Sequence, residues 1–289
     1  MARTQYWIGT TSTAFGTAGN WSAGFAPANG DTCIFNNGST PFQPTSDLDQ
    51  HLVTLANLYV LKTWVAGTLG SSSATPLKIA VSGALVIQGG AGSKVYIDSG
   101  ASAPIATCTV AMENPADTVS LGLTSGVFTK TLLKSGTVTL YGGTFTNIFM
   151  EAKSMSSGNL TVTQGACAVT ALQGLGGNFT SNDAAGTQGT LNWERDTCTL
   201  SAGAATTINV RSPGTVVYNT PDGGTGPAIE VWPLAVFDAS QDPRSKTIAS
   251  ATVHSNGQLL GDNRTGTIAF TSAPKNPLGN TTSQIVGAD

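Results

Sequence analysis

Along most of this chain, apolar side chains alternate with small polar ones in short runs, and a glycine or Ser-Gly ends each run. Thr107-Cys108-Thr109-Val110, Ala166-Cys167-Ala168-Val169 and Thr197-Cys198-Thr199-Leu200 show the pattern. Side chains two apart share one face of a strand, so each run reads as a strand with an apolar side. From Leu77 the runs crowd together as LKIAVSG, ALVIQGG, KVYIDSG, IATCTVAM and TVSLGLT. Segments this short, punctuated by glycine, are strands and tight corners with no room for helices.

The alternation itself repeats. GTVTLYGGTFTNIFMEAKSMSS from Gly136 is followed by GNLTVTQGACAVTALQGLGG from Gly158. A shift of 22 residues lays Val138 on Leu160, Leu140 on Val162, Gly143 on Gly165 and Phe145 on Cys167. Looser copies open at Gly189 and Gly214. Recurrence at about 20 to 50 residues marks a solenoid, whose single coil cannot bury its own apolar face. Parallel strands otherwise need a crossover of about a dozen residues, which coiling avoids. The expected fold is therefore all-β, a parallel β-helix (β-solenoid) with an N-terminal cap. The spacing predicts three strands and three corners per turn, with roughly nine turns stacked over about 45 Å. The divisions are a cap and anchoring region at 1–50, the solenoid at 51–270 and a polar, Pro-containing tail at 271–289.

An open first coil exposes apolar side chains and unpaired backbone, so it needs a cover. Trp7 and Trp21 are large enough to supply one, and both read as core residues of the cap rather than as a sugar-stacking platform. Asn29-Gly30-Asp31 signals a turn, after which Cys33 and Phe35 share one side of a strand. Residues 36–50 read as a loop. HLVTLANLYVLKTWVAG from His51 fits a helix or two strands; its β-branched and aromatic content favours strands, with Val53 and Leu55, then Leu58 and Val60, on the apolar side. In the last coils Val231, the Leu234–Phe237 stretch, Ile248, Val253 and Leu259 keep the apolar rhythm.

Composition narrows the function. Only 10% of the 289 residues are charged and 40% are apolar, which argues against disorder. A net charge of −3 without a basic run gives nucleic acid no electrostatic footprint. No stretch approaches the roughly 18 apolar residues of a membrane span, and MARTQYWIGTTSTAFG lacks the apolar core of a secretory signal. Folding in a cytoplasm is expected. The four cysteines, Cys33, Cys108, Cys167 and Cys198, form no C-x-x-C pair and alternate with apolar neighbours, so they are expected inward, reduced and inert.

Candidate chemistry is sparse. Glycoside hydrolysis needs two carboxylates at a set separation, yet the 12 Asp and four Glu include no adjacent pair. Glu194-Arg195-Asp196, Asp238 with Asp242 and Arg244, and Asp262 with Arg264 mix signs, as a locally neutral corner does. Asp238 with Asp242 is the one pair with a catalytic reading to weigh. His51 and His254 read as surface or corner residues outside any metal-ligand spacing. GGAGSK (89–94) and GLGG (174–177) open no helix, so they lack the dipole of a phosphate loop. Asp222-Gly223-Gly224-Thr225-Gly226 is a single copy of a calcium-type repeat, and such sites are built by repetition. No catalytic, cofactor-binding or metal residue is assigned.

Three patches carry a resemblance. The opening joins Trp7-Ile8-Gly9, Gly19-Asn20-Trp21-Ser22 and Pro27-Ala28-Asn29-Gly30-Asp31 through Phe35. Leu48-Asp49-Gln50, Val53-Thr54-Leu55, Leu58 and Ala66-Gly67-Thr68-Leu69-Gly70 continue it. Phe237-Asp238-Ala239-Ser240-Gln241-Asp242, Lys246-Thr247-Ile248, Gly257 and Leu260-Gly261-Asp262 close it. Together they resemble β-helical virion structural proteins of tailed bacteriophages. The resemblance implies a non-enzymatic particle component that decorates or cements the capsid, or a head spike, assembled into virions inside the host bacterial cytoplasm. It implies the major capsid protein or other virion proteins as partners, a trimer by analogy, and neither nucleic acid nor membrane as a partner. Two other classes share the coil. A tail spike or fibre binding host-surface polysaccharide would show an acidic cleft or an aromatic groove. A β-solenoid adhesin would carry a signal and a membrane barrel.

Overall fold

The computed structural model describes residues 1–99, 104–122, 126–152, 160–219, 226–241, 246–261, 268–270 and 284–286. The alternating runs are strands, and they stack in parallel as a β-solenoid of about nine turns. The one helical element among the described residues is a 3-10 turn, Ala18–Asn20. By its internal contacts the chain forms two compact units, built on Met1–Ile148 and Val162–Asp289.

In the first unit one parallel sheet runs through Thr4–Tyr6, Thr32–Phe35, Asn57–Val60, Ala84–Ile87 and Ile105–Ala111. Parallel pairing thus begins inside the opening segment, at Thr4. Register stacks like on like: Cys33, Leu58, Leu85 and Cys108 form one buried column, and Phe35, Val60, Ile87 and Val110 another. The facing sheet stacks Val95 on Val119 and Val138, and Ile97 on Leu121 and Leu140. The 15-residue strand Val127–Tyr141 serves both sheets, its first half pairing with Ile105–Ala111 and its second with Thr118–Gly122. It changes face at Gly136, whose φ of +114° suits glycine and where a Cβ would stand 2.7 Å from Met112 Cγ. The segment from His51 forms strands, with Leu55, Leu58 and Val60 buried.

The first turn is plugged by aromatic rings. Trp7, Phe15, Trp21 and Phe35 lie fully inside with centroids 5.1 to 6.5 Å apart, and Trp64 meets Phe35 edge-on at 5.2 Å. Two of these indoles have acceptors: Trp7 Nε1 donates to Phe42 O at 3.0 Å and Trp21 Nε1 to Phe15 O at 2.7 Å. Buried Asn20 holds the loop over them, accepting from Thr11 N and Ser12 N and donating to Ala14 O. Arg3 closes the edge with a 2.7 Å ion pair to buried Asp31. Burial raises the Asp31 pKa, but hydrogen bonds from Arg3 and from the Ala28 amide outweigh it and hold the carboxyl below its usual range.

In the second unit Ala168–Gly174, Thr187–Trp193, Ala204–Val210, Ala228–Val231 and Ser250–Val253 form one sheet. Asn178–Ser181, Thr197–Leu200, Thr215–Tyr218, Val236–Asp238 and Gln258–Leu260 form the other. Leu172, Leu191, Ile208, Ile229 and Ala251 make one inner column, and Phe179, Cys198, Val216, Phe237 and Leu259 its counterpart. Polar side chains inside are bonded to each other. Gln188 Nε2 donates to Gln164 Oε1 at 2.6 Å and to Ser181 Oγ at 3.0 Å, while Gln164 Nε2 donates to Cys167 O at 2.9 Å.

Two expectations need correction. The period is not constant: paired residues lie 28 apart for Thr4 and Thr32 but 17 apart for Thr187 and Ala204. Most turns also use two strands rather than three. A seven-residue and a four-residue strand with two corners already close a turn at the shorter spacing, and the variable remainder goes into corners. Among the described residues a third strand within a turn is seen at Thr68–Leu69, between Asn57–Val60 and Leu77–Val81, and at Lys246–Ile248, paired with Ile268–Phe270. From the proposed tail only Gln284–Val286 is described, as a strand paired with Gln258–Leu260.

Register creates one sharply testable contact. Gly174 lies beside Trp193 on the next turn, and a Cβ there would stand 2.0 Å from the indole. Gly174→Leu should destabilise the protein by about 2 to 3 kcal/mol through overpacking. Thermal unfolding followed by circular dichroism checks it; an unchanged midpoint would show that the indole is free to move aside.

Candidate functional site: an exposed aromatic corner

The buried column Trp193, Val210, Val231 and Val253 ends one sheet of the second unit, and after it the chain turns outward. Glu194, Arg211, Trp232 and His254 therefore hold the same position on successive turns. Their amides donate to Gly174 O, Trp193 O, Val210 O and Val231 O at 2.7 to 2.9 Å. Three of these corners close with a further bond back to their first carbonyl, from Gly214, Ala235 and Gly257.

Such a turn with a left-handed third residue is a type II turn, which favours Pro second and Gly or Asn third. Asn256 fits, with φ +62°, and Asp196 takes the left-handed conformation in its own corner, with φ +65°. Pro233 fits the second place, but Leu234 occupies the third at φ +62°. A branched apolar side chain there costs on the order of 1 to 2 kcal/mol. Leu234 is 67% exposed, so burial does not offset that cost; its expected inward position is wrong because the corner turns it to solvent.

Trp232 stands beside it, 39% exposed, while Trp7, Trp21, Trp64 and Trp193 are all buried. The His254 imidazole stacks on the indole at 4.7 Å and 23°, and its Nε2 lies 2.8 Å from Glu230 Oε1. The Arg211 guanidinium lies over the ring at 5.8 Å and reaches Glu194 at 3.7 Å. Between the two corners opens a notch of about 380 Å³ lined by Arg211, Ser212, Trp232, Pro233 and Leu234. Arg211 has the Glu194 carboxylate nearby, and the corner offers donors, acceptors and apolar surface together.

The residues weighed from sequence are placed as follows. Glu194 and His254 join this corner. Asp196 turns away from it, accepting from Gly177 N at 2.7 Å. Asp238 is buried and engaged by Ser240 Oγ at 2.6 Å and Gln241 Nε2 at 2.9 Å; its candidate partner Asp242 lies outside the described residues, as do Arg244, Asp262, Arg264 and Asp222 through Thr225. His51 is exposed and paired with Asp49 at 2.7 Å, which holds that carboxyl below its usual range. Asp49 lines a polar hollow of about 320 Å³ together with Thr45, Asp47, Thr75 and Lys78. GGAGSK is a corner in which Gly92 N donates to Asp117 Oδ1 at 2.9 Å, a bond inside the protein. Among the described residues no group of three metal-ligating side chains gathers, and no helix is long and apolar enough to cross a membrane. Trp232 was not singled out from sequence. Its signal was the dipeptide Trp232-Pro233, in which Pro breaks a strand and so marks a corner.

No family model, curated protein or solved structure matches this chain.

All four cysteines are buried and unpaired by disulfide. Burial, with Asp31 adding, pushes the Cys33 thiol up to about 12 from its ordinary 9.0, and burial, with Asp183 adding, lifts Cys167 to about 12. Burial alone raises Cys108 and Cys198. A group raised on folding leaves stability intact below its unfolded value and erodes it above. Thermal midpoints should therefore hold to about pH 9 and fall between 9 and 12. A thiol-reactive disulfide at pH 8 should label no cysteine in the native protein and all four in denaturant; rapid native labelling would refute their burial.

Proposed function

We propose that this chain is a non-enzymatic structural protein of a phage particle, decorating or cementing the capsid surface. The observation that carries the reading is how its interior is used. In each unit the inner columns of Val, Leu, Ile, Phe and Cys fill the coil, and in the second unit Gln164 and Gln188 bond to one another within it. The outward positions are mainly Thr, Ser and Asn, a weakly charged surface suited to lateral contact with other subunits. The three patches that resemble phage virion proteins support the same reading. The first builds the aromatic plug, and the others supply inner side chains such as Leu55, Leu58 and Phe237. The cap or the C-terminal segment would contact the major capsid protein or a sister subunit, with a trimer as the closed form.

Electron microscopy of particles made with and without the protein tests this. The expected result is extra density on the capsid that disappears with the gene. Density at the tail tip, or absence from particles, overturns the decoration reading. Depolymerisation of a host polysaccharide by the purified chain overturns its non-enzymatic part.

A further inference from the structure

We propose that the notch between Arg211 and Leu234 is a saccharide subsite for a neutral glycan bearing N-acetylhexosamine. Two independent features single it out. Trp232 is the one tryptophan of the five in the sequence with a solvent-exposed ring. Leu234 keeps a left-handed backbone at φ +62° and exposes its side chain, where Asn256 on the next turn shows the easier choice. A position that breaks a local rule with no gain inside the fold points outward, to a ligand.

The chemistry of the walls names the ligand class. With His254 stacked on the ring and Arg211 over it, the exposed edge of the indole is what meets the C–H side of a pyranose ring. Leu234 and Pro233 offer a small apolar surface sized for a methyl group. The half-exposed Arg211 guanidinium donates in a plane, and the Ser212 hydroxyl beside it can donate or accept. These groups match an acetamido substituent and ring hydroxyls. Arg211, the one charged residue among the described residues lining the notch, already pairs with Glu194 at 3.7 Å, so a neutral sugar fits better than an anionic one. A second copy of the chain fits worse. A stable homodimer buries about 800 Å² per partner, and Trp232 and Leu234 are the only large apolar side chains exposed among the described residues of this unit.

The test uses the full chain and intrinsic fluorescence. Because the other four tryptophans are buried, Trp232 reports solvent contact nearly alone. Titration with chitotetraose should give a saturable blue shift, and cellotetraose, which lacks the acetamido group, a response at least tenfold weaker. Trp232→Ala should abolish the shift. Leu234→Gly should weaken binding at least tenfold while melting at or above the parent temperature, which separates lost recognition from lost folding. No shift with chitotetraose overturns the subsite, and equal binding of cellotetraose overturns the N-acetyl assignment. Self-association that depends on Leu234, seen by analytical ultracentrifugation, would instead make the corner a contact between copies. The subsite does not rest on the capsid reading: a chain absent from particles would still show the shift.

Discussion

Everything in this protein answers to one constraint: each strand lies in parallel register on its counterpart one turn away, about 4.8 Å distant. A side chain's nearest neighbours are then the residues at the same position above and below. Apolar positions must continue as columns, because a polar group inserted into one would lose water without a partner. In the second unit a group of polar side chains enters jointly. Gln188 bonds Gln164 and Ser181 at once, and removing it would leave Gln164 Oε1 buried without that donor. Size obeys the same rule. Trp193 fits because its neighbour Gly174 has no side chain, and Tyr141 lies against Gly122 in the same way.

The ends of such a stack cannot follow the rule, since one neighbour is missing. At the N-terminal end the first unit substitutes bulk for register. Trp7, Phe15 and Trp21 cover Phe35 from several directions, with indole N–H groups tied to backbone carbonyls. Those rings are joined by loop rather than by sheet, so Asn20 and the Arg3–Asp31 pair fix the loops instead. A buried carboxylate is tolerable there only because Arg3 and the Ala28 amide both donate to it.

Period-two alternation made the strands and their inner faces legible from sequence. Cys108, Cys198, Leu58 and Val60 all point inward, and the ambiguous segment from His51 resolves into strands on the strength of its β-branched residues. Turn length was not legible, because corners absorb insertions without disturbing the strands; a 22-residue shift holds between Ala228 and Ser250 but not between Val119 and Val138 or between Thr187 and Ala204. The candidate site was legible only in parts. Glu194, Arg211, Trp232 and His254 are separated by 17, 21 and 22 residues, and only the observed register makes them neighbours. Residue type misplaced Leu234 inward, since a leucine beside a strand normally continues the core.

Corners are also where this architecture is free to vary. On the faces, register ties each inner side chain to its neighbours, so a change in one column member strains the next. At a corner the backbone bonds are made by the amide and carbonyl alone, as between Trp232 N and Val210 O, and the side chain is released from the column. A glutamate, an arginine, a tryptophan and a histidine can therefore follow one another there. The inner columns hold these four at fixed spacing, so their relative geometry is set before any ligand arrives. The solenoid thus confines chemical diversity to its corners, and the strained, exposed Leu234 beside Trp232 is where that diversity is most concentrated.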